Sequence, residues 1–124
     1  MEWEVLDVNY ISKLLEDVYD EKDNKLKYIK EKAKRRGFEH LTLGEYNYIR
    51  EKNKLNLISI KNIENILFEN IITYSDIHKE TGISRTMLSM ILRETRNTTI
   101  IALQKICKCI SNKNPKIDKS LIME

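Results

Sequence analysis

The stretch that most constrains this chain is residues 73–94, TYSDIHKETGISRTMLSMILRE. Two short runs with helical spacing stand on either side of Gly82. In the first, Ile77 and Thr81 lie four apart and share a helix face. Ser75 reads as its cap, because a hydroxyl there can accept from a free backbone N–H. Gly82 ends that helix where a left-handed backbone costs least for a residue without Cβ. In the second run, Ile83 is expected to face inward and Ser84 to cap. Leu88, Ile91 and Leu92 then make a buried stripe at spacings of three and four. That leaves Arg85, Thr86, Ser89 and Arg93 outside, all of them able to donate hydrogen bonds.

The same period runs through the rest of the chain. Residues 9–20 read as a helix with Ile11, Leu14, Leu15 and Val18 on one face and Asn9 as cap. Asp23-Asn24 marks a break and a new cap. Residues 25–36 follow as a helix with Leu26, Ile29 and Ala33 inward, stopped by Gly37. Thr42 and Glu45 have the spacing of a capping box. The helix after them, to about residue 53, places Tyr46, Ile49 and Arg50 on one side. Residues 55–58 read as an irregular linker packed down by its apolar content. Only three Gly and one Pro occur in 124 residues, too few for the turns of a β-rich fold. The expected class is therefore all-α: an N-terminal helical hairpin plus an extra helix over residues 1–57, then a second helical unit over 58–124.

Residues 59–110 resemble the Cro/repressor type of DNA-binding domain, the lambda-repressor-like group of helix-turn-helix proteins. Residues 59–70 look like the first helix of that group, with Ile60, Ile63, Ile66 and Leu67 inward. Residues 75–81 look like the second helix and 84–93 like the recognition helix. Residues 99–110 look like the fourth, with Ile100, Leu103, Ile106 and Ile110 inward. A fifth is expected after Pro115, carrying Ile117, Leu121 and Ile122. His78 stands where the group usually has Ala, so its imidazole is expected to crowd the recognition helix or change the crossing angle. Glu94 and Thr98 replace a common Gly and a common Pro.

The resemblance implies double-stranded DNA as partner. Arg85, Thr86, Ser89 and Met90 are the base-reading candidates, since Arg can bond bidentately to guanine, Thr can touch a thymine methyl and Met90 can add apolar contact at the groove edge. Tyr74, Ser75, Lys79, Arg93, Arg96 and Asn97 are the phosphate-contact candidates. For each residue the competing account is an ordinary solvated helix face. The net charge of +3 is small, but its whole surplus lies in residues 56–124, with ten basic and seven acidic residues.

The N-terminal half nets zero, yet its charge is segregated. Residues 1–24 hold eight acidic and two basic residues, and residues 25–36 hold seven basic and one acidic. Three readings follow: a hairpin whose faces attract each other, a dimer pairing acidic with basic helices, or a basic helix on DNA. Cys107 and Cys109 are too close to close a useful loop, which suggests a reducing compartment. Cys107 reads as a core residue beside Leu103 and Ile110, and an oxidation-sensing role for Cys109 has no further support. The acidic N-terminus lacks a signal-peptide pattern, and no apolar run nears the ~18 residues of a membrane span. With His40 and His78 as the other ligands, no zinc spacing appears. No phosphate-cradling or nucleophile motif appears either, so neither a cofactor, a metal nor an enzyme activity is expected.

The expected function is a cytoplasmic, sequence-specific transcriptional regulator of a phage or mobile element, acting as a homodimeric repressor. The alternative is a small mobile-element protein, an antitoxin or an anti-CRISPR-like inhibitor, that binds a host protein. A DNA-packaging or replication accessory is a third.

Overall fold

Each helix begins where a short polar side chain takes over backbone N–H groups that the helix itself leaves free. The computed structural model describes residues 3–93 and 97–124. It contains α1 (Val8–Val18), α2 (Asn24–Arg36), α3 (Leu43–Lys52), α4 (Ile60–Glu69), α5 (Tyr74–Thr81), α6 (Arg85–Arg93) and α7 (Ile100–Lys113). Short 3-10 turns cover Glu4–Leu6, Phe38–His40 and Lys119–Ile122, and no strand occurs among the described residues. The protein is all-α.

Asp23 caps α2, Ser59 caps α4, Ser84 caps α6 and Thr99 caps α7. Thr42 and Glu45 close the expected capping box on α3. Two expected caps move. Asp7, not Asn9, caps α1, accepting from the Asn9 N–H at 2.8 Å. Thr73, not Ser75, caps α5, because Asp76 three residues later completes a second capping box.

The buried side chains form one continuous core on both sides of residue 57. α7 runs through it, with Ile100, Leu103, Ile106, Cys107 and Ile110 buried. The N-terminal turn docks on α7: Trp3 Nε1 donates to Ser111 Oγ at 2.7 Å, and Gln104 Nε2 donates to the Leu6 carbonyl at 2.7 Å. Backbone bonds from Leu43 N to Thr98 O (2.6 Å) and from Ile100 N to Leu41 O (2.9 Å) clasp the starts of α3 and α7 together. A second clasp ties the 55–58 segment to the C-terminus, through Ser59 N to Ile122 O and Glu124 N to Leu57 O, both 2.8 Å.

Two arrangements differ from expectation. α1 packs on α3, and among the described residues the attraction expected between the acidic and basic helices is not realised as ion pairs. The cations of α2 turn elsewhere: Lys32 to Glu45 at 2.8 Å, Lys30 over the Tyr19 ring at 3.8 Å and Lys25 over the Tyr48 ring at 4.4 Å. After Pro115 the chain forms only the Lys119–Ile122 turn. Ile122 is buried, but Leu121 is half exposed, because so short an element has one inward position.

Arg50 is 3% exposed, and its described partners are all neutral. Nε donates to the Asn56 carbonyl at 2.6 Å, Nη1 to the Tyr46 hydroxyl at 3.1 Å and Nη2 to Met123 Sδ at 3.1 Å. The Tyr46 hydroxyl in turn donates a hydrogen bond to the Val5 carbonyl. Burial pushes the Tyr46 hydroxyl up to about 12, against the opposing pull of the Arg50 charge. One guanidinium thus ties α3 to the linker and to the C-terminus. Arg50→Ala is expected to lower stability by about 3 kcal/mol, because it strands these buried acceptors. Tyr46→Phe should cost about 1 kcal/mol. Urea unfolding followed by circular dichroism checks both, and equal midpoints for Arg50→Ala and the unmodified chain would refute the assignment.

Candidate nucleic-acid interface

The geometry around α5 and α6 rests on Gly82. Its φ of 78° and ψ of −2° put it in the left-handed region, and its N–H closes α5 on the His78 carbonyl at 2.8 Å. Thr81 Oγ1 donates to the Ile77 carbonyl at 2.7 Å and accepts from the Ile83 N–H at 3.1 Å. His78 Nδ1 lies 2.9 Å from the Ile83 carbonyl. A carbonyl only accepts, so Nδ1 carries the hydrogen. The imidazole is exposed and braces the turn from outside. Ile77, Leu88, Ile91 and Leu92 are buried beneath the pair.

Above them, Arg85 Nη2 donates to Ser75 Oγ at 2.9 Å. Ser75, displaced from its expected capping role, therefore links the exposed first turns of both helices. Helical phase places Thr86, Met90 and Arg93 on one outer stripe of α6, and all three are exposed. Ser89 is half-buried at the edge of that stripe. On α5, Lys79 lies one turn beyond Ser75 and is exposed, and Tyr74 is exposed at the first helical position. Asn97 is exposed ahead of α7. Arg96 and Glu94 lie outside the described residues. Thr98 is buried, and its hydroxyl donates to the Ile91 carbonyl at 3.2 Å.

The two helix starts differ electrostatically. At α5, the Asp76 carboxylate already takes the Thr73 N–H at 2.9 Å. That bond, with the Thr73 hydroxyl, holds its carboxyl below the usual range. An anion approaching α5 would meet that charge. α6 has no acidic residue in its first turn, so its positive end stays open.

Sequence reasoning passed over an apolar patch beside Tyr74. Phe68 is 86% exposed and Ile71 is 79% exposed. Ile71 adopts φ 56°, a left-handed backbone that is costly for a β-branched residue. Phe68, Tyr74 and Leu92 line a groove of about 470 Å³. The signal was legible for Phe68, which falls off the Ile60, Ile63, Ile66, Leu67 stripe of α4.

Cys107 and Cys109 lie on α7. Both are buried. Burial raises the Cys107 thiol, and burial with the neighbouring Glu80 carboxylate pushes Cys109 up to about 12. Neither is a thiolate at neutral pH. Among the described residues no group of three or more His, Cys, Asp or Glu gathers, and no helix is long and apolar enough to cross a membrane.

No family model matches the chain, and no curated protein and no solved structure matches it.

Two outcomes test this geometry. A Cβ added at Gly82 would meet nothing within 4 Å, so Gly82→Ala should cost only the backbone term, about 1 kcal/mol. Gly82→Asn should cost less, and thermal unfolding of the pair gives the comparison. The Thr73 hydrogen bonds hold the Asp76 carboxyl below its ordinary value in the folded chain, so its stabilising contribution is complete above that ordinary value and is lost as pH falls through the folded one. Asp76→Asn should therefore flatten the stability–pH slope between about pH 5 and pH 2. An unchanged slope in denaturant titrations across that range would contradict the capping role.

Proposed function

We propose that this protein is a sequence-specific regulator of the helix-turn-helix type, which binds double-stranded DNA as a homodimer in the cytoplasm and represses genes of a phage or mobile element. It works by binding and not by catalysis, and needs no cofactor. The single observation behind the reading is Arg85. Its guanidinium stands on the exposed first turn of α6, held at 2.9 Å by a hydroxyl from α5. One donated hydrogen bond leaves further N–H groups in the same planar fork, and a fork held in place loses less freedom when it meets guanine O6 and N7. The order and lengths of α4 to α7 support the Cro/repressor likeness.

In this reading Thr86 and Met90 make apolar contact with thymine methyls, and Ser89 bonds a base edge. Tyr74, Ser75, Lys79, Arg93, Arg96 and Asn97 hold the phosphates and fix register without reading sequence. A single module of this kind buries only ~600–1,000 Å², so two half-sites are needed for useful affinity.

One observation favours a second reading. Phe68, Ile71, Tyr74, Met87 and Met90 are all exposed on the α4–α6 half. Apolar surface of this extent suits a protein partner, as in an antitoxin or an anti-CRISPR-like inhibitor of a host protein.

Electrophoretic mobility of DNA from upstream of the chain's own gene separates the two. Regulation predicts a specific shift that weakens steeply with salt. Arg85→Ala should weaken it by roughly 10- to 100-fold and relax specificity at one base position. Lys79→Ala should weaken all sequences alike and reduce the salt slope by about 1. No shift with any upstream fragment at low salt would refute the DNA reading. Loss of a partner on Phe68→Ser with DNA binding absent would establish the other.

A further inference from the structure

Part of the segregated charge of the N-terminal half is paired within one chain: Asp23 meets Lys52, Lys32 meets Glu45, and Lys30 and Lys25 lie over the Tyr19 and Tyr48 rings. Lys27, Lys34 and Arg35 remain exposed on the outer stripe of α2 around a single acid, Glu31, with Tyr28 among them 54% exposed. On α1 and the turn after it, Glu16, Asp17, Asp20 and Glu21 are likewise exposed. None of these charged side chains is in an ion pair among the described residues.

We propose that these faces dock between two copies of the chain: the acidic face of α1 on one protomer against the basic stripe of α2 on its partner, and reciprocally about a two-fold axis. A two-fold contact is isologous, so a surface carrying both poles is complementary to itself. A second copy satisfies both charges at once. A nucleic acid would satisfy only the cations and would bring its phosphates towards the carboxylates of α1, in a half that carries twelve basic and twelve acidic residues over 1–55. Tyr28 would be covered in the same contact, and tyrosine is enriched among the residues that anchor interfaces. Exposed ion pairs contribute only ~0–1 kcal/mol each, so the dimer is modest in affinity and falls apart with salt. The surface provides the second half-site reader that the DNA reading calls for, and it rests on that reading for its purpose alone.

Sedimentation velocity of the full chain without DNA tests it. A dimer is expected at about 50 mM salt and a monomer at about 500 mM, where the screening length has shrunk well below 10 Å. The triple variant Lys27→Glu, Lys34→Glu, Arg35→Glu should be monomeric in low salt. So should Glu16→Lys, Asp17→Lys, Asp20→Lys. Mixed in equal amounts the two should dimerise with each other, because every acidic face again meets a basic one. If either triple variant loses its helical circular dichroism, Arg35→Glu alone and the salt dependence of the unmodified chain carry the test, and Arg35→Glu should weaken self-association severalfold. A monomer at all concentrations in low salt would overturn the proposal, as would a dimer indifferent to salt and to both reversals. A monomer whose DNA affinity falls on reversing α2 would also overturn it and assign the stripe to phosphates. A salt-sensitive dimer without any DNA shift would sink the DNA reading and leave this surface standing.

Discussion

Burial of α7 is the constraint on which the other elements depend. Its apolar side chains meet the Glu4–Leu6 and Phe38–His40 turns from the N-terminal half and α5 from the other. Because interiors are close-packed, a helix touched from so many directions has little freedom to shift. The position of α7 therefore sets where α5 stands, and α5 sets where α6 presents its outer stripe. The Thr98–Leu43 and Leu41–Ile100 backbone bonds hold the start of α7 in that position.

The polar interior works the same way at smaller scale. Arg50 spreads three donors over the linker, Tyr46 and the C-terminal Met123. A buried guanidinium with only neutral partners is expensive to desolvate. It persists where each donor finds an acceptor that the fold itself must order, and here two of the three, Asn56 and Met123, belong to segments outside the helices. The 55–58 segment is consequently an ordered crossing, pinned further by the Asn47 side chain on both backbone groups of Ile58.

On the α5–α6 face the side-chain roles follow from competition for hydrogen bonds. Thr73 and Asp76 together satisfy the start of α5, which releases Ser75 to brace Arg85. The same carboxylate makes the start of α5 a poor anion site, while the start of α6 carries no acid. Phe68 and the left-handed Ile71 beside this face are exposed and have no part in the core.

Much of this was legible in residue order. The apolar stripes of α2, α4, α6 and α7, both glycine stops and the Thr42–Glu45 box are local matters, fixed by the 3.6-residue period and by which short polar side chain precedes each helix. Even the Thr73–Asp76 box was readable by the same rule, had Ser75 not looked equally apt. What residue order could not decide was which charges would meet. The acidic and basic segments of the first half attract in any register, and only the tertiary structure decides that Lys32 meets Glu45 and Asp23 meets Lys52. The outward turn of His78, the burial of Arg50 and the grip of Ser75 on Arg85 are likewise decided by neighbours distant in the chain. Local backbone preference determines the helices one by one. Long-range packing decides which polar groups are left facing water, because that depends on what every other element has already covered.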